Sequence, residues 1–251
     1  MSTPANAMRD AMSRGGAAPL TDERPSASRL ATAELPAYLV ETYRWAYLSE
    51  GWRRVLDRSL VVSAILWGNA RRLMQSEVAE FAPGSHVLQT ACVYGNFSTL
   101  LADAVGRTGS LDVIDVAPLQ VENCRRKLVD YPNAHVRVAN AAVPTGATYD
   151  GICCFFLLHE VPEDYKRRIV DNLLSSVRPG GRVVFVDYHR PTPLHPLRAV
   201  MSLVFRWLEP YAPSLWEREI ASYARTADRF VWHKETYFGG LYQKTVAIRA
   251  S

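Results

Sequence analysis

A turn with one glycine, followed about 20 residues later by an aspartate, is the part of the sequence best suited to cofactor chemistry. The turn occupies residues 89–98 (QTACVYGNFS), contains Gly95 and follows a short apolar run that begins at His86. Asp115 closes the next apolar run. In open α/β sheets a glycine turn after strand one lets a cofactor approach the backbone, and a carboxylate at the end of strand two accepts both ribose hydroxyls. The pair predicts a site for a nucleoside cofactor.

Strands and helices that alternate along the chain would position these residues. Apolar runs at 86–91, 110–115, 135–139, 149–158 and 182–187 are separated by helical patterns, which predicts parallel strands with right-handed crossovers. Segments 230–235 and 241–249 are expected to close the sheet as an antiparallel pair. We predict an α/β fold: a Rossmann-like, mostly parallel sheet of seven strands (residues 83–251), with an N-terminal helical cap (34–82) and a disordered tail (1–33).

Composition sets broad limits on the class of protein. The 251 residues, 48% hydrophobic, suffice for one sizeable core, and the net charge of +4 is spread along the chain, so we expect no nucleic-acid partner. The four cysteines lack zinc spacing, which predicts reduced thiols. The longest apolar stretches reach about half of the roughly 20 residues that span a bilayer. We expect a soluble or peripheral protein of undetermined oligomeric state.

Five segments in order resemble the motifs of class I methyltransferases: VLQTACVYGNF, LDVIDVAPLQVENCRRKL, RVANA, YDGICCFFLLHEVP and SVRPGGRVVFVDY. The resemblance implies an S-adenosylmethionine cofactor, with Asp115 on the ribose, Asn140 and Ala141 at the adenine edge, and the turn 91–95 at the methionine moiety. The candidate cofactor-binding residues are Gln89, Thr90, Ala91, Val93, Tyr94, Gly95, Asp115, Val116, Asn140, Ala141 and Phe156.

The first motif departs from the pattern of that superfamily. Gln89 stands where the family usually has an acid, and Ala91 and Val93 replace two usual glycines. A glutamine offers the cofactor ammonium only a neutral carbonyl acceptor. We therefore expect the amino end of the cofactor to be held differently from that in an ordinary methyltransferase.

The altered turn, the upstream segment YRWAYLSEGWRRVLDRSLVVSAILWGNARRL and the ending FGGLYQKTVAIR resemble the rhodoquinone-biosynthesis methyltransferase-like family, RquA. That resemblance implies conversion of ubiquinone to rhodoquinone, in which an amino group from S-adenosylmethionine replaces a ring methoxy group with the help of Mn(II). It also implies a polyprenyl quinone substrate and a bacterial protein in the cytoplasm, peripherally associated with the inner face of a membrane.

Residues for a metal, for catalysis and for a quinone ring can be selected on that basis. His159, Asp187 and His189 follow predicted strands four and five and offer oxygen and imidazole ligands, although His159 also fits a sequence common in metal-free methyltransferases. The candidate substrate residues are Tyr43, Trp45, Tyr47 and Trp67. Their flat aromatic side chains would either contact the quinone ring or simply pack the N-terminal cap onto the sheet. The candidate catalytic residues are Tyr94, His159 and Glu160.

Three alternatives remain open from sequence. The chain could be an orthodox C- or O-methyltransferase acting on a quinone precursor, or a non-catalytic binding or scaffold subunit of a quinone-biosynthesis complex. The third, a nicotinamide-dependent enzyme, is disfavoured because the turn lacks the G-x-G-x-x-G spacing. The helix expected at 197–208 has a broad apolar surface, suited either to burial against the sheet or to a membrane interface.

Overall fold

The computed structural model describes residues 66–93 and 95–250. The predicted tail, the cap as far as residue 65, and four candidate site residues lie outside the described residues: Tyr43, Trp45, Tyr47 and Tyr94.

The described part of the chain forms a seven-stranded sheet in the order β3-β2-β1-β4-β5-β7-β6. Strands β1 to β5 pair in parallel, whereas β7 is antiparallel to both β5 and β6. This confirms the predicted α/β fold of the class I methyltransferase type. The strands are β1 (His86–Gln89), β2 (Ser110–Asp115), β3 (Ala134–Val138), β4 (Tyr149–Phe155), β5 (Val177–Tyr188), β6 (Phe230–Tyr237) and β7 (Tyr242–Arg249).

Helices connect the strands and cover the sheet. The α-helices are α1 (Ala70–Val78), α2 (Phe97–Val105), α3 (Pro118–Lys127), α4 (Glu163–Ser175), α5 (Arg198–Trp207) and α6 (Ser214–Glu217). Short 3₁₀ turns occur at Leu158–Glu160, Ile220–Tyr223 and Ala227–Arg229. None of these helices in the described ranges is long and apolar enough to cross a membrane.

The central strands are buried on both faces of the sheet. In β4, Cys153 and Phe155 pack with one core cluster that includes α1 and α2, while Ile152 and Cys154 pack with a second that includes α4. Successive side chains of a strand point to opposite faces, so a strand covered on both sides reads as a continuous apolar run. This is why the sequence signal for β4 is strong.

The structure differs from the prediction at the turn before the fifth strand. The sequence predicts a turn at residues 178–181 and a strand from Arg182, but β5 begins at Val177 and contains that turn as an irregularity. Tyr149 pairs with Val177 and Gly151 pairs with Arg182, so the extra residues bulge out of the ladder. Gly180, with a φ of +76°, permits the bend without a break in strand pairing.

Candidate cofactor and active site

Four parallel strands bring the candidate residues to one edge of the sheet. Gln89, Asp115 and Phe155 end β1, β2 and β4, and Asp187 lies one residue before the end of β5. Ligands of open α/β sheets bind outside the carboxyl ends of the strands. This edge is therefore the candidate site.

Gln89 is fully buried and holds an acceptor that no described group uses. Its Nε2 donates to the carbonyl oxygen of Ala91 at 2.6 Å, whereas its Oε1 has no hydrogen-bond partner in the described part of the chain. A buried acceptor without a partner costs free energy unless a ligand satisfies it. A cofactor with an amino group at this position fits that need.

The backbone of the turn is fixed by its glycine and by a lysine. Gly95 has a φ of +82°, a conformation that favours glycine, and its carbonyl oxygen accepts a 2.8 Å hydrogen bond from Lys127 Nζ. Thr90 donates its hydroxyl to the Cys153 carbonyl at 3.1 Å, which ties the turn to β4. Val93 packs against the core, so this turn has a side chain where a glycine turn would leave space.

Asp115 presents a buried carboxylate to the same edge. Its Oδ1 accepts from Ala117 N–H at 2.7 Å and its Oδ2 from Cys92 N–H at 2.8 Å. Burial raises the pKa of Asp115 to about 6, against the effect of these backbone donors. The Val116 N–H and the Cys92 thiol also lie within reach of the carboxylate, so a ribose hydroxyl would share its acceptor oxygens with these groups. The arrangement fits the nucleoside half of S-adenosylmethionine.

The predicted adenine-edge residues form a turn after β3. Ala139 N–H donates to the Asp115 carbonyl at 2.9 Å, which places the turn beside β2, next to the partly buried Val116. Asn140 Oδ1 accepts from Ala142 N–H at 2.9 Å, and the Ala141 carbonyl accepts from Asn172 Nδ2 at 2.7 Å. The Asn140 side chain thus stabilises its own turn.

His159 and Asp187 form a buried pair at the ends of β4 and β5. His159 Nδ1 lies 2.9 Å from Asp187 Oδ1, and Asp187 Oδ2 accepts from the backbone N–H groups of Leu158 and His159 at 2.9 and 3.2 Å. Burial lowers the pKa of His159 because it disfavours the charged imidazole. The Asp187 carboxylate raises this pKa by charge and by hydrogen bonding, and the Glu209 and Glu160 carboxylates raise it further, so that together they exceed the effect of burial. The pKa of His159 rises to about 9, so the ring is an imidazolium at neutral pH.

The second nitrogen of His159 faces two further carboxylates. Its Nε2 lies 3.9 Å from Glu160 Oε1 and 4.0 Å from Glu209 Oε2. Aromatic rings enclose the imidazole, with Phe156 at 5.7 Å and Tyr188 at 4.9 Å between ring centroids. Phe156 has a φ of +49°, a strained conformation for a non-glycine residue of the kind that clusters at functional sites. The pair can donate a proton or a hydrogen bond through Nε2.

Two important residues of this region are not among the sequence predictions. Glu209 lies in the loop after α5 and faces His159. Lys166 in α4 stabilises the same loop, because its Nζ donates to the carbonyls of Val161 at 2.7 Å and Tyr211 at 2.8 Å. Neither residue stands at a strand end or in a motif, so the sequence contains no local signal for them.

The predicted metal ligands are not brought together as a site, which corrects that prediction. The Nδ1 of His159 is occupied by Asp187, whose two oxygens also accept three backbone N–H groups. His189 lies beyond the end of β5, where its Nδ1 lies 2.8 Å from the Gly240 carbonyl and its Nε2 lies 3.4 Å from Lys234 Nζ. Within residues 66–93 and 95–250, no group of three His, Cys, Asp or Glu side chains could hold a metal ion. These residues do not fit Mn(II).

Trp67 is the one predicted substrate residue within the described ranges. It lies in the turn before α1 with a φ of +50° and with 42% of its surface exposed. An exposed aromatic side chain on an N-terminal turn stays a candidate for a substrate contact.

Comparisons with known proteins identify a methyltransferase domain within the chain and the fold that it has. Residues 87–181 match the family described as "Methyltransferase domain". Solved structures with the same fold include an O-methyltransferase family protein from Burkholderia thailandensis (TM-score 0.63, 13% identity, 85% of this chain and 64% of that one). Another is the N-methyltransferase NodS from Bradyrhizobium japonicum with bound S-adenosyl-L-homocysteine (TM-score 0.54, 14% identity, 83% and 96%). Residues 87–181 therefore match a methyltransferase domain, and the described part of the chain has the fold of these solved methyltransferases.

Curated relatives are quinone methyltransferases by name. The chain is similar to the demethylmenaquinone methyltransferases of Bacillus licheniformis (27% identity, 56% of this chain and 60% of the relative) and of a Geobacillus species (28% identity, 61% and 63%). The similar segments thus span about 60% of the length of these two relatives.

Proposed function

We propose that the protein is an S-adenosylmethionine-dependent enzyme that replaces a methoxy group of a ubiquinone ring by an amino group, with the cofactor as amino donor. The observation that carries the proposal is Gln89: a fully buried neutral amide, with an unpartnered oxygen, at the position where the resembled superfamily has an acid.

Gln89 favours the uncharged amine of the cofactor over the ammonium ion. A carboxylate at this position would form a charge-assisted hydrogen bond and stabilise the ammonium form, whereas an amide oxygen accepts a hydrogen bond without supplying a countercharge. A neutral amine has the free electron pair that attack on an electron-poor quinone ring requires. When bound, the cofactor supplies this nitrogen.

His159 can assist the ring chemistry with a proton. The amine adds to the ring carbon that carries the methoxy group, a carbonyl oxygen of the ring gains negative charge, and methanol then leaves. The His159 imidazolium, oriented by Asp187 at 2.9 Å, has its Nε2–H available for the developing oxyanion or for the departing methoxy oxygen. Loss of the Cα proton of the ring-bound amino acid, with its electron pair passing to the quinone, would give an imine on a reduced ring. Water would then hydrolyse the imine, which releases the remnant of the cofactor as a 2-oxo acid and leaves the amino group on the ring.

A second candidate is methyl transfer to a quinone ring. The similarity to demethylmenaquinone methyltransferases supports it, and it uses the same edge of the sheet. Both candidates need an apolar, planar substrate close to Phe156 and Tyr188.

One labelling experiment distinguishes the two reactions. Purified protein is incubated with a short-chain ubiquinone and with S-adenosylmethionine that has nitrogen-15 in its amino group and carbon-13 in its methyl group, with and without Mn(II). We expect a product that has lost a methoxy group and gained nitrogen-15. A product with carbon-13 instead supports methyl transfer, and calorimetry without any cofactor binding supports a scaffold role.

Gln89→Glu is the informative variant. We expect the restored carboxylate to bind the cofactor more tightly and to reduce amination by at least about tenfold, because one charge-assisted hydrogen bond contributes about 1.5 to 3 kcal/mol. Gln120→Glu, a substitution of another buried glutamine, is the control for the effect of an added buried acid. Unchanged amination by Gln89→Glu would contradict the proposal.

A further inference from the structure

Helix α5 exposes a row of apolar side chains on the outside of the molecule. Val200, Leu203 and Trp207 are spaced three and four residues apart, so they share one face of the helix. They are 42%, 59% and 72% exposed, and Leu194 in the preceding loop is 96% exposed. We refer to these four residues together with Leu208 as the α5 patch.

The charged residues of the α5 segment, residues 190–208, have a single sign, and the next residue, Glu209, faces His159 Nε2 at 4.0 Å. Residues 190–208 include Arg190, Arg198 and Arg206 and contain no Asp or Glu. Arg206 lies beside Trp207, with its guanidinium carbon 5.9 Å from the indole centroid. Exposed leucines and a tryptophan flanked by arginines are the composition of a helix that lies in the interface of an anionic membrane.

The loop that presents Leu194 is held in place. Thr192 N–H donates to the Gly239 carbonyl at 2.9 Å, and the His195 ring packs against Phe238 at 5.1 Å between centroids. Leu194 is therefore fixed on the turn between β6 and β7, beside α5. A preorganised apolar side chain loses less conformational freedom on binding than a mobile one.

The inner face of the same helix contacts the active-site residues. Phe205 is buried and packs on Tyr188 at 5.0 Å, and Tyr188 packs on His159 at 4.9 Å between ring centroids. Glu209, which faces His159, lies two residues after the end of the helix. Thus two packed aromatic rings, those of Phe205 and Tyr188, connect the inner face of α5 with His159.

We propose that the α5 patch docks the protein on an anionic lipid membrane, with α5 in the interface plane and the active site next to the bilayer. The docking does not depend on which reaction the protein catalyses. The further step, in which the membrane delivers a lipid-soluble quinone to His159, rests on the function proposed above. The apolar row would enter the region of the headgroups and upper acyl chains, and the arginines would contact lipid phosphates.

Vesicle flotation without quinone or cofactor tests the docking. We expect the wild-type protein to float with phosphatidylcholine vesicles that contain phosphatidylglycerol, and to float much less with pure phosphatidylcholine. The double variant Leu203→Ser, Trp207→Ser should bind at least tenfold more weakly. The double variant Arg190→Gln, Arg206→Gln should lose about fivefold per arginine with anionic vesicles only.

A matched control removes equally exposed apolar side chains elsewhere. Val129 and Val231 are 76% and 56% exposed, and the double variant Val129→Ser, Val231→Ser should float as the wild type does. Equal flotation of the α5 and control variants would overturn the proposal. So would concentration-dependent dimerisation that the α5 variant abolishes, because the patch would then bind a second copy of the chain.

The two proposals fail in distinguishable ways. A protein that floats but does not aminate a short-chain ubiquinone contradicts the proposed reaction alone. A protein that aminates this water-soluble substrate but does not float contradicts the docking alone.

Discussion

Replacement of Glu77 by glutamine should stabilise the protein strongly at neutral pH. Glu77 lies in α1 and is fully buried against the sheet, where neither carboxyl oxygen has a partner with ordinary hydrogen-bond geometry. Burial raises its pKa from 4.5 to about 8, although the Cys153 thiol, the Cys154 backbone and Lys244 oppose the shift. Asp187 contributes in the same direction as burial. The folded protein therefore keeps Glu77 protonated at pH 7.

The magnitude follows from proton linkage. The pKa of Glu77 is higher in the folded state, so folding takes up a proton and the free energy of unfolding falls as the pH rises from about 4.5 to about 8. Each pH unit in that window costs about 1.4 kcal/mol, which amounts to about 3 kcal/mol at pH 7. Glutamine has nearly the same shape and no proton to take up, so the variant avoids this cost.

Urea unfolding at several pH values measures the effect. The Glu77→Gln variant should gain less than about 1 kcal/mol over the wild type at about pH 5 and about 3 kcal/mol at about pH 7. Glu122→Gln, in which the replaced side chain is 60% exposed in α3, is the control and should follow the wild type at every pH. A gain that does not depend on pH would refute the linkage, and a loss would show that Glu77 is ionised and paired in the folded protein.

Three further predictions concern the site. Asp115 has a pKa of about 6 and its ionised form accepts the ribose hydroxyls, so the Kd for S-adenosylmethionine should rise about tenfold per pH unit below pH 6. The variant Asp115→Asn should bind weakly, with a Kd that does not depend on pH in this range. Calorimetry at several pH values measures both, and a flat profile for the wild type would contradict the prediction. The imidazolium of His159 is the proton donor and exists only below the pKa of His159, about 9, so turnover should decline above about pH 9. Asp187→Asn removes the carboxylate that raises this pKa and should move the decline to lower pH. An unmoved pH profile would exclude His159 as the proton donor. Lys166→Met removes the Nζ donor from the carbonyls of Val161 and Tyr211, of which the Tyr211 carbonyl still accepts from Ser214 Oγ at 3.2 Å. The unpaired Val161 carbonyl should cost about 1 to 3 kcal/mol of stability, seen as a lower urea midpoint. An unchanged midpoint would show that water replaces the ammonium.

The sheet was predictable because its signals are local. Strands buried on both faces, such as β4, read as apolar runs, and Asp115 ends its strand in the structure as in the prediction. The turn at 178–181 was also visible, but the sequence does not reveal that strand pairing continues through it.

The parts of the site that depend on distant contacts were not predictable. The alternation of side chains along a strand predicts that His189 shares a face with Asp187, yet β5 ends at Tyr188 and the alternation ends with it. The sequence predicts Asp187 as a metal ligand, whereas the register between the ends of β4 and β5 makes it the partner of His159. Glu209 lies close to His159 only because α5 packs against the sheet, and the spacing of residues in the sequence does not predict that packing.

The neutral end of β1 affects which small molecules should act as inhibitors. If Gln89 holds the amino acid end of the cofactor weakly, most of the binding selectivity lies with Asp115 and the turn after β3, which face the nucleoside. Adenosine and other nucleosides that lack the amino acid would then compete almost as well as S-adenosylhomocysteine. In a transferase with an acid at this position, the demethylated product would be the far stronger competitor.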